Sequence, residues 1–336
     1  MPFDIDMPPV GTASSLPLVS VLLITYNQLA YVRQALDSIL MQRGPFELEI
    51  VVGNDCSTDG TGAIIEEYAA HHKGIFHLLS QDKNLGMSSN INRCLPACRG
   101  KYVAILEGDD YWADAQKLAR QVAFLEANAD YSFCFHNAMV LYEDGSGKAS
   151  HPMTGESKLE YTLDDITRGW SIATASVMYR NGLLNELPEW VYEGTAADLP
   201  IFAILANKGR VACLPQTMSV YRINPGGVSR AGQRESYMLG IVRMHKNVDK
   251  YLNFRYRRNF IAKLAEDYFI LTGLTLSAEE RPQALRYLLQ ALRFQLADGK
   301  MPTVNNIKTL IAILLPGLMR RFGHGSRAQA TAKKAE

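Results

Sequence analysis

Apolar runs of strand length alternate with helically spaced apolar positions through the first third of the chain. Leu18 to Thr25 is almost continuously apolar, the mark of a strand buried on both faces. From Gln28 to Gln42 the apolar residues fall at Leu29, Val32, Leu36, Ile39 and Leu40, which is the spacing of a helix with one buried face. The alternation continues with a strand from Leu48 to Gly53, a helix from Ile64 to Ala70, a strand from Ile75 to Ser80, a helix from about Ser88 to Cys98 and a strand from Tyr102 to Leu106. Strands and helices taking turns across short connections predict an α/β fold with a parallel, doubly wound sheet. Beyond it the pattern predicts a helix over 114–128, a strand over Tyr131–Tyr142, a polar stretch over 148–170 with a short helix from Leu163 to Arg168, a strand from Ile172 to Tyr179, a helix from Leu199 to Ala206 and an extended Val211–Val220. Helical spacing then dominates, over about 235–273, 278–297 and 304–322. The expected organisation is a flexible leader over 1–17, an α/β domain over 18–232 and a helical region over 233–336.

Polar residues punctuate the strand ends. Asn27 follows the first strand, Asn54 and Asp55 the second, Asn84 the third, and Glu107, Gly108, Asp109 and Asp110 the fourth. Ligands of open α/β sheets sit at these carboxyl ends. Three carboxylates in four residues repel one another, and burying them without compensation is costly. A cation relieves both problems. Hard oxygen ligands suit Mg2+ or Mn2+, ions often shared with substrate phosphates. The competing reading is an acidic turn that caps the helix starting near Asp114.

Composition narrows the field. Of 336 residues, 47% are hydrophobic, enough for a sizeable core, and a net charge of +1 points to no nucleic-acid partner. Cys56, Cys94, Cys98, Cys134 and Cys213 form no zinc pattern and read as reduced core thiols. Residues 1–17 lack a basic stretch and a long apolar one, and no run of 18 apolar residues occurs, so neither a signal peptide nor a spanning helix is expected and a cytoplasmic protein is. His136 reads as a core histidine, while His71 and His72 sit on a polar helix end.

Thr25-Tyr26-Asn27 after the first strand, the run Asn54 to Thr61, Asn84 and Gly86 followed by Asn92, and Glu107-Gly108-Asp109 in the place of an Asp-X-Asp motif stand in an order that resembles glycosyltransferase family 2, the inverting nucleotide-sugar enzymes of the GT-A fold. The likeness covers about residues 18–230. The chain departs from the family pattern at Asn54, often an aspartate, at Glu107, also an acid but longer by a methylene, and at Asn224, where related sequences often carry a histidine.

The resemblance implies a Rossmann-like, mostly parallel sheet flanked by helices, with a helical C-terminal extension. It implies a metal-dependent hexosyltransferase that moves a sugar from a nucleotide-diphosphate donor to a hydroxyl of a sugar or lipid-linked acceptor, in cell-surface polysaccharide or glycan synthesis. On it, Asp109 would bind Mg2+ or Mn2+, Glu107 would reach the ribose or the metal through water, and Asp110 would support the site. Asp55 would accept from the nucleobase in a pocket lined by Thr25 and Tyr26. Asn27, Asn84, Gly108 and Arg93 belong to the same donor site, and Arg222 and Arg230 would close over the pyrophosphate. Asp198 matches the catalytic base, with a helix N-cap as the other reading and Glu193 in reserve. Two other classes compete. A nucleotidyltransferase would open with a Gly-rich basic loop where this chain has Thr25 to Gln28; a sugar-nucleotide-binding scaffold would lack turnover. Residues 304–322, interrupted by Pro316 and ending in Arg320 and Arg321, fit a peripheral helix at an anionic membrane surface or one docked on the protein's own core.

Overall fold

The computed structural model describes residues 18–79, 81–143, 145–153, 158–169, 172–192, 194–227 and 234–315. The chain divides into two units, residues 1–229 and 230–336. The first runs β1 (Leu18–Thr25), α1 (Val32–Leu40), β2 (Glu47–Asn54), α2 (Thr61–His71), β3 (Phe76–Leu78), α3 (Met87–Cys94), β4 (Tyr102–Glu107), β5 (Tyr111–Trp112), α4 (Lys117–Ala127), β6 (Tyr131–Tyr142), β7 (His151–Pro152), β8 (Glu160–Tyr161), α5 (Leu163–Arg168), β9 (Met178–Arg180), α6 (Glu189–Tyr192), α7 (Asp198–Ala206) and β10 (Arg210–Ile223). The second holds α8 (Glu235–Tyr251), α9 (Arg257–Ser277), α10 (Arg281–Ala297) and α11 (Val304–Leu314).

One sheet organises the first unit, in the order β3-β2-β1-β4-β9-β6-β10-β5. Its first four strands are parallel, as the alternation predicts. The rest is mixed. Antiparallel β9 inserts between β4 and β6, β10 lies parallel to β6, and two-residue β5 adds antiparallel to β10. Val21, Leu23, Leu36, Ile39, Ile50 and Leu106 form the heart of the core, closed to solvent between sheet and helices.

Three departures from the predicted elements have local causes. The first helix starts at Val32 because Tyr31 leaves helical backbone angles. Gln28 to Tyr31 form a turn in which the Gln28 carbonyl accepts from the Tyr31 and Val32 amides at 2.9 Å, while the amides of Gln28 and Leu29 donate to Thr61 Oγ1 and Asp59 Oδ2, both at 2.9 Å. The stretch Ile172–Tyr179 is partly a 3-10 turn over Thr174–Ser176, where Ser176 Oγ donates to Ala173 O at 2.6 Å. The predicted helix over 235–273 is two, because Asn253 and Phe254 take left-handed backbone angles of 51° and 59° after Tyr251.

In the second unit Met238, Val242, Leu264, Tyr268, Leu271 and Ala291 share one core, and Ala284, Leu288 and Ile313 another. α11 therefore packs one face on α10, while Pro316 and the arginines after it lie outside the described residues. Among the described residues no helix is long and apolar enough to cross a membrane.

Candidate active site

Parallel pairing brings the polar strand ends together: Thr25 stands beside Asn54, and Ile24 beside Glu107. Gly108 lets the turn after β4 close on β1. Its N–H donates to Ile24 O at 2.8 Å, and a Cβ there would come within 2.7 Å of Thr25 Cβ. Asn27, with a left-handed backbone angle of 52°, ties the first loop to the second: its N–H donates to Ser57 Oγ at 2.9 Å, and its Oδ1 accepts from the Thr58 amide at 2.8 Å. Tyr26 stands exposed at this edge.

Asp55 is buried and anchors the third connection. Its carboxylate accepts from the amides of Leu85 at 2.9 Å and Gly86 at 2.8 Å, and from the Gln81 side chain. Asn84 Nδ2 donates to the Asp55 carbonyl at 3.2 Å. On α3, Asn90 Nδ2 donates to Gly53 O at 2.6 Å, and Arg93 donates to Asn90 Oδ1 at 3.0 Å. Arg93 is thereby held beside the end of β2.

The acidic turn is gripped by the end of β10. Asn224 Nδ2 donates to Asp109 Oδ2 at 2.8 Å. The Arg222 amide donates to Asp110 Oδ1 at 2.8 Å, while Asp110 Oδ2 is buried without a hydrogen bond among the described residues. The Arg222 side chain turns inward. It donates to Asp109 O and to Gln34 Oε1 at 2.7 Å, faces Glu143 at 3.0 Å and lies over the Tyr31 and Tyr111 rings at 4.5 and 5.3 Å.

Burial, and then the charges of Asp109 and Asp198, push the Glu107 carboxyl up to about 8. Burial raises Asp109 as well, against the pull of the Asn224 hydrogen bond. Asp110 is held well above the usual carboxylate range by burial, Asp109 and Glu107. Burial raises the Tyr221 hydroxyl, and Glu107, Asp110, Asp109 and Asp198 add to it. Asp198 thus lies within electrostatic reach of the acidic turn although it arrives on α7, far along the chain. It occupies the first helical position, with Ala197 at the cap and no side chain capping, and Asp198 Oδ1 accepts from the Leu199 amide at 2.8 Å. The buried run Leu199–Leu205 seats the helix that presents it.

The structure brings Thr25, Glu107, Gly108, Asp109, Asp110, Asp198, Arg222 and Asn224 together, with Asn27 and the group of Asp55, Asn84 and Arg93 along the same sheet edge. Glu193 and Arg230 lie outside the described residues. Sequence reasoning missed Gln28, whose side chain acts on Asp109, as well as Tyr221 and the Arg222 partners Gln34, Tyr31, Tyr111 and Glu143. Only Gln28, next to Asn27, carried a signal.

Among the described residues no three His, Cys, Asp or Glu side chains form a ready-made metal cluster. The donors present fit a hard cation that takes the rest of its shell from phosphate and water: the Asp109 carboxylate, steadied by Asn224, and the unbonded Asp110 oxygen near it. A separate cleft of about 680 Å³ lies at the opposite strand ends, lined by Leu18, Glu47, Glu49 and Arg99, and its buried Glu49 is already satisfied by Arg99 and Ser20.

The model of the family described as glycosyl transferase family 2 matches residues 20–181. An uncharacterized protein of Mycobacterium tuberculosis is 36% identical over 211 residues, covering 62% of this chain and 60% of that protein. The chain thus spans about three fifths of the length of these mycobacterial relatives. A putative teichuronic acid biosynthesis glycosyltransferase of Bacillus subtilis is 30% identical over 215 residues, covering 63% of this chain and 82% of that protein. Among solved structures, S. aureus TarS 1–349 in complex with UDP-GlcNAc superposes with a TM-score of 0.56 at 18% identity, over 85% of this chain and 93% of that one. Mannosyltransferase PcManGT from Pyrobaculum calidifontis, in complex with GDP-Man and Mn2+, gives 0.51 at 18% identity, over 94% and 85%. The structural likenesses establish the GT-A fold: a curled central sheet flanked by helices, followed by C-terminal helices. Matched along the segment that carries the strand-end motifs, and over most of a relative named for glycosyl transfer, the chain belongs to glycosyl transferase family 2.

Proposed function

We propose that this chain transfers a sugar from a nucleoside-diphosphate donor to an acceptor hydroxyl, with Mg2+ or Mn2+ and with inversion at the anomeric carbon, on the cytoplasmic side of cell-surface polysaccharide or glycan assembly. The observation that supports the reading is that Asp198, at the start of α7, lies within electrostatic reach of Glu107 on the acidic turn although the two are far apart in the chain. One group can then take a proton while the other region holds the leaving group.

Asp109 would hold the metal, with Asp110 behind it and Asn224 fixing the carboxylate orientation. A divalent cation bound there supplies charge neutralisation to the departing diphosphate. Asp198 accepts the acceptor hydroxyl proton as that oxygen bonds to the anomeric carbon. The carbon–oxygen bond to the diphosphate breaks on the opposite face, and its electron pair leaves with the phosphate oxygen. A single displacement of this kind inverts the centre. Tyr26 offers an exposed ring face to the nucleobase. Asp55, with three of its roughly four lone-pair sites taken by Gln81, Leu85 and Gly86, keeps one for a base N–H. Arg93 would reach the diphosphate from α3. Arg222 steadies the acidic turn from behind; contact with the pyrophosphate would require it to give up Gln34 or Glu143. The UDP- and GDP-sugars bound by the fold's neighbours make those donors the first to try.

The test is thermal denaturation with UDP-, GDP- and dTDP-sugars, each with and without Mn2+, followed by a transfer assay with the donor that binds. A metal-dependent rise in melting temperature with one donor, abolished in Asp109→Asn, is expected. No rise with any donor from folded protein overturns the reading. A rise with no turnover of any acceptor replaces it with a non-catalytic sugar-nucleotide binder.

A further inference from the structure

The second unit turns two helical faces of one character to solvent. On α10, Arg286, Leu289, Arg293 and Leu296 are exposed and recur at spacings of three and four, so they lie along one stripe. On α11, Val304, Ile307 and Leu314 are each more than half exposed, with Lys308 beside them. The inward faces are already occupied: Ala284, Leu288 and Ala291 on α10, and Asn306 and Ile313 on α11. Leu289 and Leu296 continue outward the row of Leu285 and Leu292, which packs in the same cluster as Leu310 of α11. The exposed leucines of α10 therefore border α11.

Charge selects the partner. From 281 to 315 the cations are Arg281, Arg286, Arg293, Lys300 and Lys308, and the lone acid, Asp298, pairs with Lys300 at 2.7 Å. We propose that this face of the helical unit lies on the surface of an anionic lipid bilayer. Exposed Leu, Ile and Val would enter the boundary between headgroups and acyl chains, and the guanidinium and ammonium groups would sit among the phosphates. Nucleic acid would leave the apolar side chains without a role, and a purely apolar protein groove would leave the arginines without one. Neither helix is long enough to span, so the contact is interfacial. This goes beyond the transfer reaction and brings the chain to the surface where a lipid-linked acceptor is presented.

The test is flotation of the full chain with vesicles of phosphatidylcholine alone and of phosphatidylcholine mixed with phosphatidylglycerol. Binding to the mixed vesicles only, released by salt, is expected. Arg286→Glu with Arg293→Glu should weaken it by roughly tenfold or more, and Ile307→Ser with Leu314→Ser should do the same without changing helix content by circular dichroism. No binding to anionic vesicles by the unaltered chain overturns the proposal, as does undiminished binding by the arginine double variant. Light scattering that shows a dimer, dissolved by Leu289→Ser with Leu296→Ser, in protein that ignores vesicles would assign the face to a second copy instead. Because the readout is vesicle binding, its failure leaves the transfer reaction untouched, and failure of donor binding leaves this contact untouched.

Discussion

On the proposed mechanism Asp198 takes the acceptor hydroxyl proton, a role that a purely structural residue would not share. Its Oδ1 accepts from the Leu199 amide at 2.8 Å in the first turn of α7, although Ala197 holds the cap position. Asp198→Asn keeps the shape and removes the basicity. Turnover should fall by roughly 10²–10⁴-fold, with donor affinity by calorimetry unchanged; an equal loss of affinity would make the residue a binding or structural group. Gly108 is constrained from the other side. A methyl group there would press on Thr25 Cβ at 2.7 Å, in a sheet edge that cannot yield without moving the acidic turn. Gly108→Ala should cost about 1–3 kcal/mol in denaturant titration and weaken metal-dependent donor binding. Both positions were visible in the chain as a motif and a resemblance. The partners that give them meaning, Thr25 for Gly108 and Glu107 for Asp198, were not.

Where α4 packs on β6 a polar row runs through the core. Lys117 is fully buried, its Nζ has no hydrogen bond among the described residues and sits 3.9 Å from the Trp112 ring centroid. Burial holds its pKa well below the ordinary lysine value. Lys117→Met keeps the volume and removes the unsatisfied group, and should raise stability at neutral pH by about 1–3 kcal/mol. His136 on β6 is buried too, and burial, with the Lys117 charge second, lowers it to about 3. Its folded pKa is therefore below its unfolded value of about 6.5, so the unfolded chain binds the extra proton between those two values. Stability should be full above that window and fall as pH drops through it. Against His136→Gln, the native chain should lose up to about 1.4 kcal/mol more per pH unit between pH 6 and 4; parallel pH profiles would show that His136 can be protonated in place. At the junction of α8 and α9 the left-handed Asn253 decides where one helix becomes two, and Asn253→Val should cost about 1–2 kcal/mol of the helical unit's stability, read by the helix signal in circular dichroism.

The two units can be followed separately, because Trp112, Trp170 and Trp190 all belong to residues 1–229. Donor with Mn2+ at about a hundred times its dissociation constant should stabilise the fluorescence-detected transition by about 2.7 kcal/mol, and chelation should remove the gain. Stabilisation that survives chelation would separate donor binding from the metal. The periodicity of the chain determines much of this architecture. Runs such as Leu18–Thr25 and Tyr102–Leu106 read as strands buried on both faces, their alternation with helices makes the sheet parallel, and a parallel sheet places Asn27, Asp55, Asn84 and Glu107 along one edge. Local pattern could not reach the antiparallel insertion of β9, the two-residue β5, or the inward turn of Arg222 onto Asp109, Gln34 and Glu143, because each depends on partners dozens of residues away. Nor could it show that Asn224, an apparent departure from the family pattern, donates to Asp109. Hydrophobic spacing is a property of neighbours along the chain. A carboxylate's orientation and charge state are properties of what folding packs around it.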